Sequence, residues 1–344
     1  MQGITCNVGM DVHKKFIFCV ALDDSGEVIF EKKINNEPHE LDLFIRRINK
    51  DSKVALESCS CWEYVYDYLD NAGFVNIQLA NPSRVGLIAK SKKKTDRYDA
   101  HVLADLVRTN LLPTSYAPSR VIREERRITR YRASLAVLQT EVKNRIHAIL
   151  IRQGIINPFE NIFTEKGLEY LRTLDLSWTD RVQMDDYIGI IRHLKHKANK
   201  AEEMIMEYVD HHPQAKLLVT IPGIGTYSGL SILGEIGDIR RFASAKRLTS
   251  FAGLNPSVSQ SGERCHMGKI SKQGNKHLRR MLGQCANIAI MHDSTLSKIY
   301  HRIRRRRSHN VAITAVARKM LTFIFTMLKC DITYQQLHIH KKAS

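Results

Sequence analysis

Residues 120–152 limit the fold more than any other stretch. Ile128, Tyr131, Leu135, Leu138, Val142 and Ile149 recur at the three- and four-residue spacing of one helix face, with Arg145 interrupting the seam. This predicts a long helix carrying a coiled-coil stripe. It separates a strand-rich N-terminal segment from a C-terminal segment punctuated by glycine and proline. Three regions follow: 1–115, an α/β domain; 116–210, a helical coiled-coil middle; and 211–344, a compact, mainly helical C-terminal domain. A second helical stretch, about 185–208, is expected to pack back on the first. Oligomerisation into a dimer or tetramer is the expected use of such an arm.

In the first region, residues 4–10, 16–22 and 27–33 read as three short strands, the last two joined by the turn Asp23-Asp24-Ser25-Gly26. A helix over 38–48, a strand over 53–57, a helix over 62–71, a strand over 74–79 and a helix from about 95 to 112 follow. A strand meander followed by alternating helix and strand predicts an α/β domain.

Lysine and arginine total 53 against 35 acidic residues, a net charge of +18. Between Arg264 and Ser344 stand 17 basic and two acidic residues, so this stretch alone supplies +15. Such a surplus points to a polyanionic partner, because release of phosphate counterions drives association. A membrane partner is not expected: no basic amphipathic stretch presents aromatics on a clean apolar face, and the apolar run 311–328 is broken by Arg318 and Lys319. Seven cysteines without metal-ligand spacing suit a reducing, cytoplasmic setting.

Four carboxylates carry the chemistry. Asp11 ends the first strand and Glu57 ends Val54-Ala55-Leu56-Glu57, so adjacent strands would bring both to one sheet edge. Asp96 and Asp99, three apart, share one helix face. Carboxylate oxygens suit Mg²⁺, and two such ions about 3.5–4 Å apart would relieve the repulsion and serve an in-line phosphoryl displacement. Taken singly, Asp96 is a helix N-terminal acid and Asp11 a turn residue. Tyr98, between the aspartates, is read as packing the helix. In this order the four resemble the RuvC-like, RNase H-type nuclease fold.

Ile221-Pro222-Gly223-Ile224-Gly225, followed by a helix-like run to Ile236, resembles a helix-hairpin-helix element. Backbone N–H groups at Gly223 and Gly225 would hold a phosphate without reading sequence. Ser261-Gly262 and a basic series with Lys269, Lys272, Arg279 and Arg280 come next. Gly262 to Lys269 is not a nucleotide-binding P-loop, since the spacer has one residue too many and Ile270 replaces the required Ser or Thr. Recombination that conserves the phosphodiester needs no ATP.

Together, Asp11, Glu57, Asp96 with Asp99, the Pro-Gly-Ile-Gly turn and Ser261-Gly262 with Gly268, Lys272, Gly274 and Arg279 resemble the DEDD-type insertion-sequence transposases, the family that includes the Piv DNA invertases. The resemblance spans nearly the whole chain. It implies a RuvC-like catalytic domain, a coiled coil and a C-terminal transposase domain whose nucleophilic serine, by motif position, is Ser261. It also implies Mg²⁺, donor and target DNA, a guide RNA from the element, and tetrameric assemblies with composite sites. The chain departs from the family after Glu57, where Ser58-Cys59-Ser60-Cys61 stands in place of a small residue and glycine, which predicts a remodelled turn. Two other readings stand beside this one: a structure-specific nuclease using water, with Ser261 structural, and a non-catalytic nucleic-acid-binding scaffold.

Overall fold

Alternation of apolar residues along short strands builds the first of two units, Met1–Ala117, and long helices build most of the second, Pro118–Ser344. The computed structural model describes residues 4–88, 95–261 and 264–343. The first unit runs β1 (Asn7–Val12), β2 (Phe16–Leu22), β3 (Val28–Asn35), α1 (Pro38–Ile45), β4 (Lys53–Glu57), α2 (Trp62–Asn71), β5 (Asn76–Ala80), α3 (Pro82–Ile88), α4 (Asp96–Arg108) and β6 (Thr114–Ser115). Its sheet has the order β3-β2-β1-β4-β5-β6. β1, β2 and β3 form the expected antiparallel meander, while β1, β4 and β5 run parallel.

The period of two sends alternate side chains to opposite faces. Val8, Met10, Val54 and Leu56 pack with Leu41 and Phe44 of α1 and Val65 and Leu69 of α2. On the other face, Ala55 and Ala80 meet Leu103, Leu106 and Val107 of α4, and Val20 and Leu22 meet Ala100 and Ala104. Along β1, β4 and β5 the residues under α4 are small, and Gly9 is the tightest point. A Cβ there would lie 2.0 Å from the Ala100 carbonyl oxygen and 2.4 Å from the Ala104 nitrogen. Glycine inside a strand commonly marks such a close approach of another backbone.

The second unit comprises α5 (Arg120–Arg152), α6 (Glu165–Thr173), α7 (Trp178–Asp210), α8 (Pro213–Val219), α9 (Thr226–Ile236), α10 (Ala245–Phe251), the hairpin β7 (Pro256–Ser261) and β8 (Arg264–Ile270), α11 (Lys276–His292), α12 (Ser294–Arg304), α13 (His309–Cys330) and α14 (Tyr334–Ala343). It has two apolar clusters. One joins Leu135, Val142, Ile146 and Ile149 of α5 to Met184, Ile188 and Ile191 of α7. The pairs Arg152–Asp180 and Arg132–Glu202 show that α5 and α7 run antiparallel. The stripe read from sequence divides here. Leu135, Val142 and Ile149 are buried and Ile146 fills the seam, whereas Tyr131 and Leu138 are exposed, and Arg145 is exposed with its guanidinium 6.0 Å from the Tyr187 ring centroid of α7.

The other cluster gathers α8 through α14. α13 is long and apolar enough to cross a membrane by length and composition. Its Val316, Met320, Phe323, Ile324 and Met327 are nevertheless buried in this core.

Candidate active site

α4 starts at a well-formed cap. Thr95 Oγ1 accepts the Tyr98 N–H at 3.2 Å, and Asp96 and Asp99 occupy the first turn, where the helix dipole favours negative charge. Tyr98, read as a packing residue, is instead exposed. Because Gly9 lets α4 lie directly on β1, this turn is delivered to the strand end that carries Asp11. Asp11 shares the sheet face of Gly9, and its carboxylate is buried.

Asp11 Oδ2 lies 3.0 Å from His13 Nε2, which is also 3.5 Å from Asp96 Oδ1. One ligand atom from each of Asp11, His13 and Asp96 falls within 4.8 Å of the others. Burial pushes the Asp11 carboxyl above its ordinary value, and the charges of Asp96 and Asp99 push it further in that direction, against the opposing effect of His13. Glu57 joins by register: Met10 pairs with Leu56 in the parallel β1–β4 ladder, so the next residues, Asp11 and Glu57, lie side by side and point to the same face. Among the described residues, neither Lys nor Arg forms an ion pair with Asp11, Asp96 or Asp99. A buried carboxylate with a histidine and a second acid in reach is, among the described residues, a donor set that suits a divalent cation.

The turn after Glu57 proceeds without glycine. Cys59 N–H donates to the Glu57 carbonyl at 2.9 Å, Cys61 caps α2, and no residue from 58 to 61 enters the left-handed region. Cys59 and Cys61 pack against the sheet core. Their alternation in sequence reflects packing.

In the second unit, Gly223 has φ +88°, and a Cβ on it would lie 2.7 Å from both the Cys285 carbonyl oxygen and the Ala289 nitrogen. Its glycine is therefore required by contact with α11. Gly225 is open and exposed at the start of α9, with its N–H given to Ser228 Oγ at 2.8 Å. Ser261 is the last residue of β7, paired across the hairpin with Arg264. The side chains of Ser261 and Lys269, and the whole of Gly262, lie outside the described residues. Lys272 is exposed in a left-handed conformation, φ 54°. Arg279 donates to the Ala252 carbonyl at 3.0 Å, a contact within the fold, while Arg280 is exposed.

Sequence reasoning passed over His13 and Gly9. Gly9 was detectable, since an interior strand glycine signals close approach, and His13 stands two residues from Asp11 just past the strand end.

Two family models match the chain. One, described as transposase, covers residues 8–153, and the other, described as the transposase IS116/IS110/IS902 family, covers residues 215–301. The transposase for insertion sequence element IS1111A of Coxiella burnetii is 24% identical over 95% of this chain and 91% of its own length. The transposase for insertion sequence element IS1328 of Yersinia enterocolitica is 24% identical over 93% and 95%. The pilin gene-inverting protein of Moraxella bovis is 33% identical over 40% of this chain and 45% of its own.

Proposed function

The chain belongs to the IS116/IS110/IS902 family of transposases, and on that premise we propose that it cuts and rejoins DNA by Mg²⁺-dependent transesterification with Ser261 as nucleophile. The observation that carries the metal half is the buried Asp11 carboxylate beside Asp96, with Asp99 in the same helical turn and Glu57 on the neighbouring strand. Bound there, Mg²⁺ would stabilise charge on the phosphate under attack. Asp11, Glu57, Asp96 and Asp99 would hold it. The sheet order, with three antiparallel strands and then parallel β4 and β5, supports the RuvC-like, RNase H-type reading.

Ser261 supplies the other half. Its hydroxyl oxygen forms an ester bond to phosphorus as one bond from phosphorus to a sugar oxygen breaks. The serine proton passes to a base and the departing sugar oxygen gains one. DNA is then held as a phosphoserine ester until a second sugar hydroxyl reverses the exchange. Exposed Lys272 and Arg280 are suited to phosphate contact, whereas the Gly225 N–H is already given to Ser228, and a guide RNA from the element is the expected second nucleic acid. The division into 1–115, 116–210 and 211–344, with the α5–α7 pair as a coiled-coil arm that assembles copies, belongs to the same reading.

The test is a denaturing gel of protein, co-purified RNA and matched DNA with Mg²⁺. Wild type should give a protein-linked DNA band that Ser261→Ala lacks. Full recombination by Ser261→Ala without any adduct in wild type would overturn the serine's role in favour of a water-using nuclease.

A further inference from the structure

His13 is held more firmly than a surface histidine requires. Its backbone N–H donates to the Phe16 carbonyl at 2.9 Å, closing the tight β1–β2 turn. Asn36 Nδ2 donates to the His13 carbonyl at 3.0 Å. The imidazole stacks on Phe16 with centroids 4.6 Å apart, and Lys33 Nζ sits 3.7 Å from the centroid of the same Phe16 ring. The two hydrogen bonds fix the His13 backbone, and the Phe16 ring packs against the imidazole itself. Nε2 lies between Asp11 Oδ2 and Asp96 Oδ1, at 3.0 and 3.5 Å.

From this geometry we propose that His13 is itself a metal ligand, donating the Nε2 lone pair to the divalent ion held by Asp11 and Asp96, and that it moves the preference of the site from Mg²⁺ toward Mn²⁺. The inference rests on the metal reading above. It adds a nitrogen to what was read as an all-oxygen donor set. Mg²⁺ requires near-ideal octahedral oxygen coordination and sheds water reluctantly, whereas transition ions accept imidazole readily. Phe16 and Asn36 act through His13 and are positioning residues. Phe16 packs against the ring and Asn36 holds the backbone beneath it.

The experiment uses the full chain and Mn²⁺ alone. Pulsed electron paramagnetic resonance on the bound ion should show ¹⁴N coupling in wild type and none in His13→Ala. The same substitution should weaken Mn²⁺ binding by about tenfold, with Mg²⁺ binding, measured by competition, changing far less. Mn²⁺ bound to wild type and displaced by Asp11→Asn, but without ¹⁴N coupling, would overturn the role of His13 and leave the carboxylate site standing. Failure of wild type to bind Mn²⁺ in an Asp11-dependent way would overturn both. The wild-type spectrum decides by itself, so the test survives a variant that does not fold.

Discussion

Two buried carboxylates, one in each unit, have opposite surroundings. Glu235, at 1% exposure, receives both arms of Arg130 at 2.7 and 2.9 Å and Asn275 Nδ2 at 2.7 Å. Burial alone would raise its carboxyl, but these donors together hold it below the ordinary glutamate value. Asp11, at 5% exposure, has His13 and two further acids, and its carboxyl is raised. Glu235 carries its counter-cation in the fold, whereas among the described residues Asp11 has only a histidine, which fits the proposal that it receives a cation from outside. The direction of the shift is not the discriminator by itself. Glu125 is also raised by burial, yet it accepts from Tyr208 at 3.1 Å and pairs with His212 at 3.1 Å in an internal contact. What marks Asp11 is the crowding of acids around it.

The contrast breaks first at Asp11. Asp11→Asn should lower DNA strand cleavage on the order of 10³-fold while raising the melting temperature in EDTA. Because the folded-state value of Asp11 is raised, wild type in EDTA should lose stability as pH climbs from the ordinary aspartate value through the raised one. The variant should lack that loss. If Asp11→Asn melts lower at neutral pH without metal, Asp11 is as structural as Glu235.

Arg130→Ala leaves Glu235 buried without its bidentate partner but with Asn275 and Arg126 still beside it, and should cost about 1–3 kcal/mol of folding stability in denaturant titration. Since Glu235 is lowered, its contribution is present above the ordinary glutamate value and lost as pH falls through the folded-state value. Divalent cations should not rescue this variant. The double variant Glu235→Leu/Arg130→Met should lose less than either single change, which a double-mutant cycle would measure.

Gly9→Ala should cost more than the about 1–3 kcal/mol of ordinary overpacking, because its Cβ would meet backbone that cannot turn aside. Its added Cβ presses on the α4 backbone at Ala100 and Ala104, so it should also displace Asp96 and Asp99 and weaken Mn²⁺ binding. A variant with reduced stability and unchanged Mn²⁺ affinity would separate the packing of α4 from the assembly of the site.

Elements dictated by local pattern were legible in the sequence. The strand Lys53–Glu57, the helix Trp62–Asn71 and the helix Arg120–Arg152 stand where apolar periodicity puts them. The hairpin β7–β8 was not legible: Pro256–Ser261 reads Pro-Ser-Val-Ser-Gln-Ser, with a single large apolar residue and hence no period to detect. Tyr131 and Leu138 share the spacing of the α5 stripe but stay exposed, because the buried face is chosen by where α7 lies. At the candidate site, the order of Asp11, Glu57, Asp96 and Asp99 was readable because each stands at a recognisable strand end or helix start. The parts played by Gly9, His13 and Asn36 arise from contacts between segments and have weak local signals.

The sequence by itself determined the strand and helix periods, the basic surplus and the identities of the acids, since composition and short-range spacing encode these. Tertiary structure alone decided which neighbours each buried carboxylate has. Arg130 reaches Glu235 across 105 residues, and α4 must settle on Gly9 before Asp96 can approach Asp11. The physical reason is that burial and charge pairing depend on neighbours distant in the chain, so one buried carboxylate is held below its ordinary value and another is pushed above it.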